Sequence, residues 1–218
     1  MTPEFWHDRW QRGELGWHEE GINRHLAEHW PRLALSTDAR VLVPLCGKSM
    51  DMLWLAGRGH AVLGVEISPL AADAFFGENG LVPQVDRLPP FVRYRVDGIE
   101  LLVGDFFDLR PEHLTGVAAV YDRASLIALP PDLRPRYAGH LASLLPPGAE
   151  SLLITLDYDQ TRMKGPPFSV GDAEVHSLFG PAFAVEMLSE FDALAESPRF
   201  RRRGLDWLTE RVYGLRRQ

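Results

Sequence analysis

The sequence predicts an α/β fold on a largely parallel, doubly wound sheet, and three observations predict it. From residue 40 onwards short apolar runs alternate with amphipathic stretches, the pattern of strands joined by crossover helices. Within this region RVLVPLCGKSMDMLWLAGRGHAVLGVEIS, residues 40–68, sets out an apolar strand, a glycine-bearing turn, a helix and a second apolar strand ending in an acid. Asp97-Gly98 lies between two alternating runs, a strong hairpin-turn signal. At 218 residues a single domain, 1–218, is expected, because domains usually hold roughly 100–200 residues.

Two aromatic-rich helices open the chain. The first covers 3–12, with Thr2-Pro3 at its start and Phe5, Trp6, Arg9 and Trp10 at helical spacings. The second, within 16–33, puts Ile22, Leu26 and Trp30 on one face and stops at Pro31. Residues 1–36 are therefore expected to form a helical lid, and 37–218 the α/β core. Strand one is expected at 40–46, a helix at 49–59, strand two at 61–68 and a Pro-started helix at 69–80. The hairpin spans 91–109, with Ile99 to Val103 as strand three of the parallel sheet. Strand four (116–123), a helix (132–149) closed by Pro-Pro-Gly and strand five (150–159) follow. A helical stretch at 171–180 leads to strands six (182–194) and seven (205–217), expected as an antiparallel pair with a charged connection.

Bulk properties exclude several classes. No apolar run approaches the roughly 20 residues a membrane span needs, and the opening MTPEFWHDRWQRGE lacks the pattern of a secretion signal. One cysteine, Cys46, rules out an intrachain disulfide and a tetrathiolate zinc site, so a reducing cytoplasm is expected and no metal at the active site. A net charge of −7 and a pI near 5.6 argue against a nucleic-acid partner. RFRRRG at 199–204 runs against that trend: it is a solvated turn between strands, or it lends an arginine to a polar acceptor. With no heptad seam, a monomer is expected.

Gly47-Lys48-Ser49 invites a phosphate-loop reading, but that motif needs glycine at position 42, which is Leu. An acid ending strand two, Glu66, suits ribose hydroxyls in a doubly wound sheet, although alone it could be a solvated strand-end acid. NAD and S-adenosylmethionine both satisfy Glu66 and differ at the turn. A pyrophosphate favours a G-x-G-x-x-G cradle, whereas PLCGKSMD offers one glycine, enough for a cofactor without phosphate. Asp105 and Phe106 after strand three are placed to meet an adenine amine and ring face. Asp122 and Arg123 end strand four at the same rim, as catalytic candidates or as a strand-end ion pair.

These residues resemble the thiopurine S-methyltransferases, in particular the bacterial type. The signatures are FWHDRWQRGELGWHEEGINRHL (5–26), the stretch at 40–68, GDFFDL (104–109), VYDRASLIALP (120–130) and ERVYGL (210–215), in order along nearly the whole chain. The resemblance implies a class I S-adenosylmethionine-dependent methyltransferase with seven strands, the last antiparallel. Position by position it implies that Trp10, Leu45, Glu66, Phe106 and Arg123 meet the cofactor, beside Gly47 and Asp105 as read from the turn and the end of strand three, and that Arg123 and Arg199 face the acceptor. Thiopurine S-methylation is the implied activity, with selenium or tellurium oxyanion detoxification as a further expectation. Methyl transfer to a thiol sulfur is a single in-line displacement that needs alignment and exclusion of water rather than a strong base. Cys46 is accordingly read as packing. Two alternatives stay open: an NAD-dependent oxidoreductase, and a non-catalytic S-adenosylmethionine-binding module.

Overall fold

The computed structural model describes residues 2–14, 16, 18–19 and 21–218; Leu15, Trp17 and Glu20 of the opening signature lie outside the described residues, as does Met1. Backbone contacts divide the chain into two compact units, Met1–Tyr121 and Asp122–Gln218.

The first unit begins with α1 (Pro3–Gln11), where Pro3 fills a first-turn position whose N–H has no helical partner. A shorter α2 (Arg24–His29) follows, and Asn23 caps it by accepting from the backbone N–H of His25 and Leu26. The long second helix expected from the sequence is thus one turn and a half, continued as a 3-10 segment at Trp30–Leu33 with Pro31 in its first turn. Leu26 and Trp30 are buried as expected, but Ile22 precedes the helix and is exposed.

Next come β1 (Arg40–Val43), α3 (Asp51–Gly57), β2 (Ala61–Glu66) and α4 (Pro69–Glu78), then β3 (Gln84–Leu88), β4 (Phe91–Val96), β5 (Ile99–Val103) and β6 (Val117–Arg123). In this unit the strand order is β3-β4-β5-β2-β1-β6. β5, β2, β1 and β6 run parallel, whereas β3–β4 and β4–β5 are antiparallel. Val41, Leu42 and Leu63 are almost wholly out of solvent, as befits parallel strands, and each such side chain stabilises the fold by about 1.5–3 kcal/mol. Helices α3 and α4 pack on β2 and β5.

From β1 the chain winds one way through β2 and β5 and then returns on the other side of β1 as β6. That reversal creates a crevice outside the carboxyl ends of the strands, the position where open α/β sheets bind ligands.

The second unit holds α5 (Arg134–Leu144), β7 (Glu150–Asp157), α6 (Asp172–Phe179), β8 (Phe183–Asp192), α7 (Pro198–Arg202) and β9 (Thr209–Arg217). β9 pairs antiparallel with β7 along its length and with β8 through an irregularity between Met187 and Ser189.

One expectation is corrected. Nine strands, not seven, are present among the described residues, because the hairpin arm β4 and an unforeseen β3 join the sheet. The sheet is mixed: β9 is antiparallel to both β7 and β8, and β4 is antiparallel to β3 and to β5, its partner in the expected hairpin. Among the described residues no helix is long and apolar enough to cross a membrane.

Candidate functional site

In the first unit, β1 ends at Val43 because the chain turns sharply: Leu45 has φ +46° and Gly47 φ +54°. The left-handed region is open to Gly47 but costs a branched leucine about 1–3 kcal/mol, so Leu45 stores strain in this turn. The turn is pinned to β2 at two points. Cys46 N donates to Val65 O at 3.0 Å, and Gly47 N donates to Glu66 Oε2 at 2.9 Å. The other carboxylate oxygen of Glu66 accepts from Ser68 N at 2.8 Å.

Burial pushes the Glu66 carboxyl above its ordinary range, while the amides of Ser68 and Gly47 pull it back. A carboxylate has about four lone-pair sites, so two amides orient Glu66 and leave capacity for two hydroxyls. A ribose-bearing cofactor fits this arrangement. Gly104 N donates to Glu66 O at 2.9 Å, which sets Asp105 and Phe106 beside the end of β2. Asp105 caps a 3-10 turn (Phe106–Asp108) through Phe107 N at 2.9 Å, and Phe106 is buried.

Helix α1 reaches the same rim. His7 Nε2 donates to Ile67 O at 3.1 Å, one residue past Glu66, and Trp10 lies one turn further along α1, buried. The structure thus gathers Leu45, Gly47, Glu66, Asp105 and Phe106 around the carboxyl ends of β1, β2 and β5, with Trp10 buried on α1 in the same unit. Lys48 does not belong to that group. Its ammonium lies 2.7 Å from both carboxylate oxygens of Glu78 on α4, which gives the Gly-Lys-Ser a structural use. Burial, then the neighbouring Glu66 charge, pushes the Cys46 thiol well above its ordinary range, the state of a packed rather than a reactive thiol.

Two features beneath the turn escaped the sequence reading. Asp51, buried at the start of α3, accepts from Asn23 N at 2.8 Å and from the Tyr121 hydroxyl at 2.9 Å. It therefore joins the cap of α2, the helix after the turn and β6. Gly64 on β2 has no room for a side chain: a Cβ would lie 2.9 Å from Cys46 Sγ and 3.0 Å from Met52 Sδ. Asp51 stood in the quoted PLCGKSMD, but nothing local marks it as buried.

In the second unit, Asp122 is 2% exposed. Its Oδ2 accepts from the Tyr137 hydroxyl at 2.6 Å and its Oδ1 from Leu126 N at 3.2 Å. Burial raises its carboxyl above the ordinary range against those hydrogen bonds, and burial with the Asp122 charge pushes the Tyr137 phenol up. Asp122 was expected as a catalytic group at the rim. The structure instead turns its carboxylate inward, where it holds the bend at Ala124 (φ +65°) that follows the half-buried Arg123.

The segments after β6 and β7 are stitched together. Phe168 N donates to Ile127 O at 2.7 Å, and the buried Arg134 donates to Leu129 O and to both oxygens of Glu174 while facing the Phe168 ring. RFRRRG overlaps the short helix α7, which begins at Pro198, rather than forming a simple turn, and Arg199 on it is exposed with its guanidinium 4.7 Å from the Phe200 ring centre.

Comparison with known proteins agrees along the chain. The model of a family described as thiopurine S-methyltransferase matches residues 1–218. A thiopurine S-methyltransferase of Pseudomonas fluorescens is 54% identical over 216 residues, 99% of each chain, and one of Azotobacter vinelandii is 51% identical over 218 residues, all of each. Among solved structures, a 1,6-didemethyltoxoflavin-N1-methyltransferase of Burkholderia thailandensis, with S-adenosylhomocysteine bound, superposes with a TM-score of 0.64 at 17% identity. It covers 99% of this chain and 87% of its own, and supports the methyltransferase fold, a mixed-sheet α/β architecture.

Proposed function

We infer the activity from one premise: the chain belongs to the thiopurine S-methyltransferase family, which it matches over residues 1–218. It is an enzyme that methylates the sulfur of aromatic or heterocyclic thiols such as thiopurines, with S-adenosylmethionine as the methyl donor. The observation that carries the reading is the whole-chain match, at half identity or better, to two proteins bearing that name.

When bound, S-adenosylmethionine supplies an electrophilic methyl group on its sulfonium. The chain's own residues bind, orient and exclude water. Glu66, steadied by Gly47 N and Ser68 N, receives the ribose hydroxyls, and two charge-assisted hydrogen bonds there strengthen binding by about 1.5–3 kcal/mol each. Leu45 and Gly47 let the ligand approach the turn, Asp105 and Phe106 take the adenine, and Trp10 packs over the cofactor. Residues 1–36 act as its lid, a reading supported by the burial of Trp10 and the His7–Ile67 hydrogen bond.

Arg123 orients the acceptor and offsets the charge of its thiolate, with Arg199 as a second cation. Asp122 and Tyr137 act through Arg123 by fixing the bend that follows it. A thiolate is already a good nucleophile, so alignment does the work that a base would otherwise do.

The same reading takes 1–218 as one methyltransferase domain, supported by the whole-chain family match, cytoplasmic, supported by the lone cysteine, and monomeric, in keeping with a sequence that has no heptad seam. No feature of the described residues speaks for selenium or tellurium oxyanions as acceptors.

The test is to incubate the protein with methyl-labelled S-adenosylmethionine and 6-mercaptopurine and follow the label. Label on the purine sulfur is expected. Cofactor binding in calorimetry without transfer would favour the S-adenosylmethionine-binding module or a different acceptor, and absence of cofactor binding would overturn the methyltransferase reading.

A further inference from the structure

Helix α2 carries a side-chain cluster that methyl transfer does not use. His25, Glu28 and His29 stand at i, i+3 and i+4, so all three project from one side of the helix. One donor atom from each lies within 4.8 Å of the other two, and the two imidazole rings are near-parallel, 25° apart with centres at 6.1 Å. His29 Nε2 is 3.8 Å from Glu28 Oε1. Two imidazoles four residues apart on a helix, with a carboxylate between them, form a chelate that needs little rearrangement to close on one ion.

We propose that His25, Glu28 and His29 form a binding site for a divalent transition-metal ion, separate from the cofactor and acceptor residues. Imidazole with carboxylate selects zinc, nickel or copper over magnesium or calcium, which prefer all-oxygen shells. Three protein ligands leave at least one position for water. Both imidazoles are buried while Glu28 and Arg24 are exposed, so the ion enters from the Arg24 side. Arg24 Nε lies 3.4 Å from His25 Nε2, a long contact that the ion displaces.

Burial keeps the His29 imidazole below its ordinary range against the pull of Glu28, with Arg32 and His25 adding to the lowering. Because Asn23 both caps α2 and donates to Asp51, an ion on this helix also stiffens its attachment to α3.

Zinc alone, titrated into the full chain in chelator-free buffer and followed by calorimetry and thermal melts, tests the site. Uptake of one ion per chain with a raised melting temperature is expected, and magnesium should produce neither. Glu28→Gln, a surface change that leaves the fold intact, should weaken zinc binding at least tenfold, whereas Arg24→Gln should strengthen it by removing the competing cation. His29→Gln should abolish it if that buried variant folds. The exposed pair His176 and Asp172 is the obvious rival, so His176→Gln should leave binding unchanged. No uptake by the unaltered chain, binding indifferent to Glu28→Gln, or binding lost in His176→Gln would each overturn the proposal.

Discussion

Glu66 at the end of β2 and Asp122 near the end of β6 are both buried carboxylates, and burial raises both above the ordinary carboxylate range. Their partners separate them. Glu66 is held by two backbone amides, Gly47 N and Ser68 N, which fix its position as firmly as the turn itself is fixed. Asp122 is held by the Leu126 amide, by the backbone and hydroxyl of Ser125, and by a short hydrogen bond from a phenol, itself buried, inside the second unit. Backbone amides steer a carboxylate while leaving it able to accept from a ligand; a buried phenol commits it to the protein. Burial and a perturbed pKa alone therefore do not separate a binding group from a structural one.

The contrast can be broken in a graded way. Arg123→Ala, beside Asp122, should cost about 10²-fold or more in kcat/KM while changing cofactor affinity far less, as steady-state kinetics and calorimetry will show. Equal losses in both would place Arg123 on the cofactor side instead. Glu66→Gln should raise the cofactor Kd roughly 10- to 100-fold, since a neutral amide makes weaker hydrogen bonds and confronts one of the two N–H groups with an NH2.

Tyr137→Phe should lower thermal stability by about 1–3 kcal/mol, because it leaves a buried carboxylate short of a donor, and should lower kcat without moving the KM for S-adenosylmethionine. A change in that KM would mean Asp122 serves the cofactor after all.

The pH response has the same sign for both acids. Each titrates higher in the folded chain than in the unfolded one, so the stability it contributes is full below the ordinary carboxylate range and is lost as pH rises through the raised values. Asp122→Asn and Glu66→Gln should each flatten the fall of melting temperature across that window. The smallest effect belongs to Lys48→Ala, which removes an ion pair with exposed Glu78. It should change stability by no more than about 1 kcal/mol and leave cofactor affinity untouched.

What the sequence made legible was local. β1, the turn, α3 and β2 announce themselves through apolar runs and punctuation, and Glu66 is found because it ends a strand. β3 escaped because QVDRL is mostly exposed and alternates charge with no apolar face. The length of α2 was overread because Ile22 fits the helical period but lies before the Asn23 cap.

The roles of Asp51, Tyr137 and Arg134 were illegible for a different reason. Tyr137 reaches back 15 residues across a bend to Asp122, while Asp51 and Arg134 are polar side chains with partners distant in the chain, 70 residues away for Asp51 and Tyr121 and 40 for Arg134 and Glu174. No window of local sequence contains both ends of such a pair. The turn was read as a place of close approach, but its strained leucine and its amide grip on Glu66 emerge only in three dimensions.

Gly64 carries the last consequence. Two sulfur atoms occupy the space where its side chain would stand, so β2 sets the height of the Cys46 turn from below. The ligand-facing shape is consequently cast when the core solidifies, before any small molecule arrives. Recognition by this rim is then inherited from sulfur packing one layer down, and a methyl group added to the strand interior would be felt at the surface as a change in affinity.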